Sequence, residues 1–219
     1  MPVNTRSDAQ RSRVLLVDGV HTLLRAGRVG FSIPELAAVA GVGVATAYRH
    51  FPTPQDAMAA FHRRAITQLL EAFSLIDAAV SEPRTQHDSL DRFHRFCGTW
   101  VEQSMQWGSA VRYIRSSSGF IERLAGGDEA ITGLHDILAE VLEALVRDGL
   151  APDLDITYAV LLWITIFDER VVYDLAEHRR WSGAEIVDHL TRAVAGALGV
   201  DEGAAPQSPA AMRSQQCGP

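Results

Sequence analysis

Four side chains that can bind an anion or read a nucleic-acid base stand close together in this sequence. Thr46, Tyr48, Arg49 and His50 lie in GVGVATAYRHFPTPQDAM, residues 41–58. Their hydroxyl, guanidinium and imidazole groups donate hydrogen bonds, and arginine suits phosphate oxygens or the O6 and N7 atoms of guanine. The pattern indicates a nucleic-acid contact. The alternative is that Tyr48 and His50 pack a small core, and the spacing alone does not decide between the two.

Capping signals predict the short helices that would position these side chains. Apolar residues at helical spacing predict a first helix over residues 8–26. Ser32 and Glu35 form a capping-box pattern that opens the second helix, and Gly41 suits its left-handed end. The third helix begins at Val44. Short helices joined by a glycine turn are typical of a helix-turn-helix, whose last helix enters the major groove of DNA.

The charge is divided unevenly along the chain. The net charge is −7, yet residues 1–64 carry +4 and the remainder carries −11. A basic N-terminal part on an acidic remainder predicts that the N-terminal part alone meets an anionic partner. A chance imbalance on a solvated surface is the alternative.

The composition excludes several classes of protein. With 219 residues, 47% of them hydrophobic, the chain can bury a core and is not a disordered protein. The apolar run at 158–167 is shorter than the ~20 residues that a membrane helix needs, and the N-terminus has no signal-peptide core. Cys97 and Cys217 form no disulfide framework. We therefore expect a cytoplasmic protein.

Periodicity and caps predict an all-α chain. Thr53 and Pro54 open a long helix, and Asp88, Asp128, Asp153 and Ser182 are candidate N-caps for four later helices. The predicted helices after the third cover about 54–80, 88–106, 109–124, 128–149, 153–178 and 183–198. We divide the chain into a DNA-binding domain (1–53), a helical-bundle ligand-binding and dimerisation domain (54–199) and a disordered tail (200–219).

Residues 31–58, FSIPELAAVAGVGVATAYRHFPTPQDAM, closely resemble the tetracycline-repressor-like (TetR) family of bacterial transcription regulators. The matching positions are Ala40-Gly41-Val42, Thr46, Tyr48, His50-Phe51 and Thr53. The match covers about 50 residues at the N-terminus, and the rest agrees in helical character and length. The resemblance implies a homodimer that binds a near-palindromic double-stranded DNA operator and releases it when a small molecule binds the larger domain.

The resemblance also implies roles for individual residues. Thr46 and Tyr48 would contact phosphates, and His50 would reach a phosphate at the far end of the recognition helix. Val44 and Ala45 fall where relatives read bases, and their apolar side chains can sense only thymine methyl groups.

Arg49 and Ser32 complete the predicted DNA contacts. Arg49 is the candidate for a directional bond to guanine, with a plain phosphate contact as the alternative. Ser32 would offer the N-terminus of the second helix to a phosphate.

One position departs from the family pattern. Pro54 stands where relatives commonly carry a lysine or arginine that grips a phosphate. The absence of this basic residue would lower the DNA affinity, and Arg11, Arg13 or Arg28 are candidates to compensate for it.

The resemblance places the dimer interface on the last two predicted helices. The predicted interface residues are Val160, Ile164, Val171, Ile186, Leu190 and Val194. The helix that contains 158–167 is apolar all round, so it must be buried on more than one side. Asp168, Glu169 and Arg170 follow that run, and an interface salt bridge or a solvated turn suits them better than a catalytic acid pair.

Aromatic residues of the larger domain are candidates for the wall of a ligand pocket. Those predicted to bind the ligand are Phe96, Trp100, Tyr113, Phe120, Trp163 and Phe167. Each taken singly also suits the core, but together they favour an apolar or aromatic effector. Arg112, Arg115 and Ser116–Ser118 are candidates for polar contacts.

No signal for catalysis, a cofactor or a metal emerges. His94 and Cys97 share a predicted helix face without a third ligand, so a zinc site is disfavoured. Phosphate-loop, nucleophile-elbow and zincin motifs do not occur. The sequence predicts a ligand-responsive repressor rather than an enzyme. The alternatives are an activator of the same fold, or a ligand-binding dimer whose DNA-binding part is degenerate.

Overall fold

The computed structural model describes residues 5–78, 86–113, 118–201 and 203, and within these ranges the secondary structure is helical without a strand. The helices are α1 (Thr5–Arg25), α2 (Ile33–Ala40), α3 (Val44–His50), α4 (Pro54–Ala78), α5 (Gln86–Trp107), a 3₁₀ helix (Gly108–Tyr113), α6 (Phe120–Ala125), α7 (Glu129–Arg147), α8 (Ile156–Ile166), α9 (Glu169–His178) and α10 (Gly183–Leu198). The predicted all-α fold is confirmed.

The predicted boundaries of α2 are confirmed by its caps. The Ser32 Oγ accepts a hydrogen bond from the Glu35 backbone N–H at 3.3 Å, and Glu35 Oε2 accepts one from the Ser32 N–H at 2.8 Å. Gly41 ends the helix at φ 64°, a left-handed conformation that glycine adopts without steric cost. The Val42 N–H then donates to the Ala37 carbonyl at 2.9 Å. This closed turn sets the angle between α2 and α3.

A second capping box starts the long helix α4. Asp56 Oδ2 accepts from the Thr53 N–H at 3.0 Å, and Thr53 Oγ1 accepts from the Asp56 N–H at 3.2 Å. Pro54 occupies the first helical position, where its missing N–H costs nothing. The sequence prediction for this start is confirmed.

Two hydrophobic cores share α4. The head core includes Leu16, Val20, Leu24, Leu36, Ala47, Phe51 and Phe61. The body core includes Phe73, Phe96, Trp100, Leu138, Trp163, Phe167 and Ile186. We call α1–α3 together with the first two turns of α4 the head. The described residues after these two turns are called the body. The helix α4 therefore contributes side chains to both cores.

The predicted helix over 153–178 is wrong as a single element. α8 ends at Ile166 and α9 begins at Glu169. Asp168 Oδ1 accepts the Arg170 N–H at 2.9 Å, so the carboxylate caps a new helix and interrupts the old one. The predicted N-cap Asp153 is also wrong, because Asp155 Oδ1 accepts the Tyr158 N–H at 3.0 Å.

The predicted helix over 109–124 is also wrong. The helix α5 ends at Trp107, the 3₁₀ helix begins at Gly108 with φ 54°, and α6 starts separately at Phe120 after Gly119. Residues 114–117 lie outside the described ranges. Asp88 is not an N-cap, because it lies inside α5, whereas Asp128 and Ser182 cap α7 and α10 as predicted.

The start of the predicted tail is packed against the body. Val200 packs on the body core, and the Asp201 N–H donates to the Leu150 carbonyl at 2.8 Å. The prediction of disorder for residue 202 and for 204–219 falls outside the described residues. Among the helices that are described, none combines the length and the apolar character needed to cross a membrane.

Candidate nucleic-acid interface and ligand cavity

α3 presents its predicted contact residues on the side that faces away from the head core. Ala47 is fully buried and fixes the inner face of α3. Val44 and Tyr48 are 44% and 47% exposed, and Ala45 and Arg49 are exposed as well. Tyr48 therefore does not fill the head core. This face combines two small apolar side chains with a phenol and a guanidinium.

Hydrogen bonding and charge organise the polar end of this face. Arg49 Nη2 donates to the Thr46 Oγ1 at 2.8 Å, which holds the guanidinium beside the hydroxyl. His50 is half-buried, and its pKa is lowered by that burial and by the nearby Arg13 and Arg49. The imidazole is neutral at pH 7 and acts there as a hydrogen-bonding group.

A basic depression lies beside α3 and includes a residue that the sequence did not single out. Its lining includes Arg13, His50, Phe51 and Arg63 together with one acidic residue, Asp56, and the Arg13 guanidinium carbon lies 4.9 Å from the centre of the Phe51 ring. Arg63 is exposed on α4, about two turns beyond the capping box, and no motif marks it. Two arginines thus converge next to the proposed recognition helix.

The other two residues predicted to compensate for Pro54 differ in whether an acidic side chain already pairs with them. Arg28 forms an ion pair with Glu35, whereas Arg11 is exposed. Ser32 is exposed, but its hydroxyl donates to the Glu35 Oε2 at 3.0 Å. Hydrogen bonds from Ser32 lower the pKa of Glu35, so an anionic carboxylate already occupies the N-terminus of α2. A phosphate at this helix end would have to compete with it.

The body contains a cavity of about 290 Å³ between α4, α5, α7, α8 and α9, near the α6 segment. Its lining is mostly apolar: Ala65, Ile66, Leu69, Trp100, Trp107, Phe120, Ile131, Leu134 and Ile164. The polar residues of the lining are His62, Ser118, Arg123, Asp168, Glu169 and Arg170. An apolar cavity with a few polar groups is the usual form of a small-molecule site.

The predicted ligand-binding residues divide between this lining and the core. Trp100 and Phe120 line the cavity, whereas Phe96, Trp163 and Phe167 are fully buried in the body core and do not. The side chains of Tyr113 and Arg112, and residues Arg115–Ser117, lie outside what the structure describes. Ser118, the member of the predicted serine run that the structure describes, lies in the lining.

The charged side chains of the cavity differ in whether a described side chain of opposite charge pairs with them. Arg123 donates to Asp128 Oδ2 from Nε at 3.0 Å and from Nη2 at 2.8 Å. Arg170 Nε donates to Asp168 Oδ1 at 2.7 Å. Glu169 forms no ion pair with a basic side chain in the described part of the chain. Burial raises the pKa of Glu169 to about 7.

His62 shares this cavity with Glu169. Burial, and secondarily the charge of Arg123, lowers the pKa of His62 to about 4, so the imidazole is neutral at pH 7. No sequence pattern marks His62, and the sequence around Glu169 indicates a turn or an interface. The sequence signal that indicates a buried carboxyl at Glu169 is its position close after a long apolar run.

Most of the predicted interface residues lie inside the protomer. Val160, Ile186 and Val194 have no exposed surface, Leu190 is 8% exposed and Ile164 lines the cavity. Val171 is 40% exposed. On α8, Tyr158 and Thr165 are exposed and Leu161 is half-buried, and the exposed residues of α10 include Ala193 and Ala197. In this conformation a second protomer would meet the latter set.

A second connection joins the cavity to the head. Trp107 lines the cavity, and its carbonyl accepts a hydrogen bond from the His21 ring of α1. In the following 3₁₀ helix, the Ser109 Oγ donates to the Arg25 carbonyl at 3.0 Å, and Ala110 is buried in the head core. The end of α5 therefore touches both the ligand cavity and α1.

The possible metal pair is separated by the fold. His94 is exposed and Cys97 is fully buried, so the two side chains do not share a face. Across the described ranges, no three histidine, cysteine or acidic side chains form a group that could hold a metal ion.

Comparison with solved structures shows a TetR-like fold. The fatty acid degradation regulator FadR from Bacillus halodurans aligns with a TM-score of 0.66 and 16% identity over 84% of this chain and 98% of that one. A TetR-family regulator from Syntrophomonas wolfei aligns with a TM-score of 0.66 and 13% identity over 91% and 99%. The TetR-like regulator LfrR from Mycobacterium smegmatis, in complex with proflavine, aligns with a TM-score of 0.58 and 20% identity over 84% and 94%. No family model and no curated protein matches the sequence.

Proposed function

We propose that this chain, which has a TetR-like fold, is a transcriptional repressor that binds double-stranded DNA as a homodimer and releases it when a small molecule binds the body. The observation that carries the proposal is the outward face of α3. Tyr48 and Arg49 are exposed there on a head whose own core is complete without them. The solved structures with this fold include proteins described as transcriptional regulators.

The DNA contacts follow from the chemistry of that face. Arg49 reads a guanine from its position beside Thr46, and Val44 and Ala45 contact thymine methyl groups. Thr46, Tyr48 and His50 contact phosphates. Arg13 and Arg63 add cationic contacts beside His50, in place of the basic residue that Pro54 replaces.

Dimerisation uses α8 and α10. Tyr158, Leu161 and Thr165 stand on one face of α8 at helical spacing, and Tyr158 is 58% exposed. Ala193 and Ala197 of α10 are exposed and small, so a second protomer's helices can approach closely. A two-fold pairing of these faces places two copies of α3 on one side of the dimer.

Release of DNA is a shift between two conformations. Dimeric readers need their recognition helices about 34–36 Å apart, so a splay of a few ångströms abolishes the fit. A ligand between α4 and α9 favours the splayed state, because α4 contributes to both cores. The contact of Trp107 with α1 gives a second route for the same displacement.

The effector is a small aromatic molecule. The cavity volume of about 290 Å³ lies near the lower end of the ~300–1,000 Å³ that is usual for ligand sites. Trp100, Trp107 and Phe120 provide flat apolar surfaces. Proflavine, found in complex with the structurally similar LfrR, has a suitable shape.

Selection from random duplex DNA at about 150 mM salt tests the proposal, because this salt concentration suppresses non-specific binding. We expect enrichment of an inverted repeat by the intact chain and none by Arg49→Ala. Arg95→Ala, which removes an exposed arginine from the body, is the matched control and should enrich the same repeat. No enrichment by the intact chain would favour a ligand-binding dimer with a degenerate head.

A further inference from the structure

Among the residues that the structure describes, the cavity of the body contains one carboxyl group without an ion-pair partner. Four charged side chains line it, and two of them, Asp168 and Arg170, pair with each other. Arg123 pairs with Asp128 through two hydrogen bonds. Glu169 is the remaining one, and the described residues place no basic side chain within ion-pair distance of its carboxyl. A ligand can therefore supply the missing positive charge.

Aromatic side chains surround the same space. Trp100, Trp107 and Phe120 line the cavity together with Glu169. Ring faces attract cations, and desolvated cation–π contacts are the strongest. Trp100 is 2% exposed, and its indole N–H has no hydrogen-bond acceptor in the described part of the chain. The wall thus offers stacking surfaces and an unused donor next to an uncompensated acid.

The environment of Glu169 makes its charge depend on what the cavity holds. The titratable and charged groups that share the cavity with it are His62 of α4, Arg123 of α6, and Asp168 and Arg170 on either side of it. Burial, and secondarily the charge of the neighbouring Asp168, raises the pKa of Glu169 to about 7, against the opposing effects of a backbone hydrogen bond and of the charge of Arg170. His62 is neutral, and both arginines are paired. A bound cation would stabilise the ionised carboxylate and lower its pKa, whereas a neutral ligand would leave the pKa raised.

We propose that the effector is a flat aromatic base carrying one positive charge, with Glu169 as its counter-ion and Trp100, Trp107 and Phe120 as its stacking surface. This inference rests on the proposed function, because it takes the cavity as the effector site. An anionic effector does not fit the same lining. Arg123 and Arg170 are already neutralised by aspartates, and an anion would meet Glu169 unshielded.

The test compares two tricyclic probes of similar shape. Proflavine carries the charge, and acridone is neutral. Binding of each to the full chain is measured by fluorescence for the wild type, Glu169→Gln and Glu177→Gln. Glu177 is an exposed carboxylate on the same helix, so it is the matched control. We expect Glu169→Gln to lose about tenfold or more in affinity for proflavine and nothing for acridone, because only the ion pair is removed.

The pH dependence gives a second readout. Proflavine stays charged between pH 6 and 8, so its affinity for the wild type should rise with pH as Glu169 ionises. Glu169→Gln should show no such rise. Glu169→Asp keeps the charge and should retain the preference for proflavine over acridone.

Equal proflavine affinity in the wild type and Glu169→Gln would overturn this inference, as would tighter binding of acridone than of proflavine to the wild type. DNA binding without a ligand is measured on the same proteins. If the protein binds DNA and the proflavine affinity does not depend on Glu169, this inference is overturned and the proposed function is not. Loss of DNA binding together with the expected proflavine result would overturn the proposed function and leave Glu169 as a cation site.

Discussion

Single residues of α3 define what the head can recognise. Ala47 is buried, so it fixes which side of α3 faces outward, and the bond from Arg49 to Thr46 orders the guanidinium before DNA arrives. A pre-ordered side chain loses less conformational entropy on binding. Recognition is therefore expected to depend on Arg49 and Tyr48 rather than on the apolar positions Val44 and Ala45.

Arg49→Ala and Tyr48→Ala should each weaken binding to the selected operator by about 1–3 kcal/mol per half-site while leaving the dimer intact. Both side chains are exposed, so neither substitution disturbs the head core. Fluorescence anisotropy gives the affinity, and sedimentation gives the oligomeric state. Loss of dimerisation, or an unchanged affinity in both variants, would contradict the assignment of α3.

Glu169→Gln should stabilise the ligand-free protein at pH 8 and leave its stability unchanged near pH 4. The folded-state pKa of Glu169 is about 7, above the ordinary value of 4.5 for a glutamic acid side chain. The wild type is therefore fully stable below the unfolded pKa and loses stability as the pH rises through 7. We expect about 2 kcal/mol at pH 8, less than full linkage would give because the residue is partly exposed. Urea unfolding of both proteins at pH 4 and pH 8 measures the difference in their free energies of unfolding. The same difference at both pH values would refute the raised pKa.

Whole elements show which features can be read from sequence. The capping box at Ser32, the glycine at 41 and the start at Thr53 are local signals, and each predicted its boundary correctly. The break between α8 and α9 was not predictable from periodicity. The apolar run passes through it, and only the cap formed by Asp168 decides against a continuous helix.

The faces of α8 illustrate a second limit. A helix that is apolar all round gives no signal for which side meets its own core. The sequence favoured Val160 for the interface, yet Val160 is fully buried, whereas Tyr158 is exposed and Leu161 is half-buried. Likewise, the position of Glu169 in a cavity depends on how α4, α5 and α9 pack, which no local pattern records.

Gly19→Val should destabilise the head by about 2 kcal/mol, because it overpacks the contact between α1 and α2. A Cβ at Gly19 would lie 3.0 Å from Leu36 Cδ1 and 3.3 Å from the Ala40 Cβ. Gly98→Ala in α5 is the matched control. It meets no atom within 4 Å and should stabilise by up to about 1 kcal/mol through helix propensity. Equal effects of the two changes in thermal unfolding would show that the helices do not approach this closely.

At the scale of the whole molecule, the proposed function requires the basic N-terminal part to bind DNA and the acidic body to stay clear of it. Arg13→Ala and Arg63→Ala should each lower the slope of log affinity against log salt by about one per protomer, because each removes one phosphate contact. Arg28→Ala is the matched control, since Arg28 already pairs with Glu35 and should leave the slope unchanged. Salt titrations of operator binding measure the slopes. A lower slope for Arg28→Ala alone would indicate that the phosphate contacts lie near the N-terminus of α2 and not beside α3.

The central claim is that two protomers read one operator through paired copies of α3. Hydroxyl-radical footprinting of the selected DNA at about 150 mM salt, combined with the binding stoichiometry, tests it most directly. We predict two protomers per duplex and two protected half-sites whose centres lie about 10–10.5 base pairs apart, or a multiple of that. A single protected patch with one protomer per duplex would contradict the account, as would the absence of any protection.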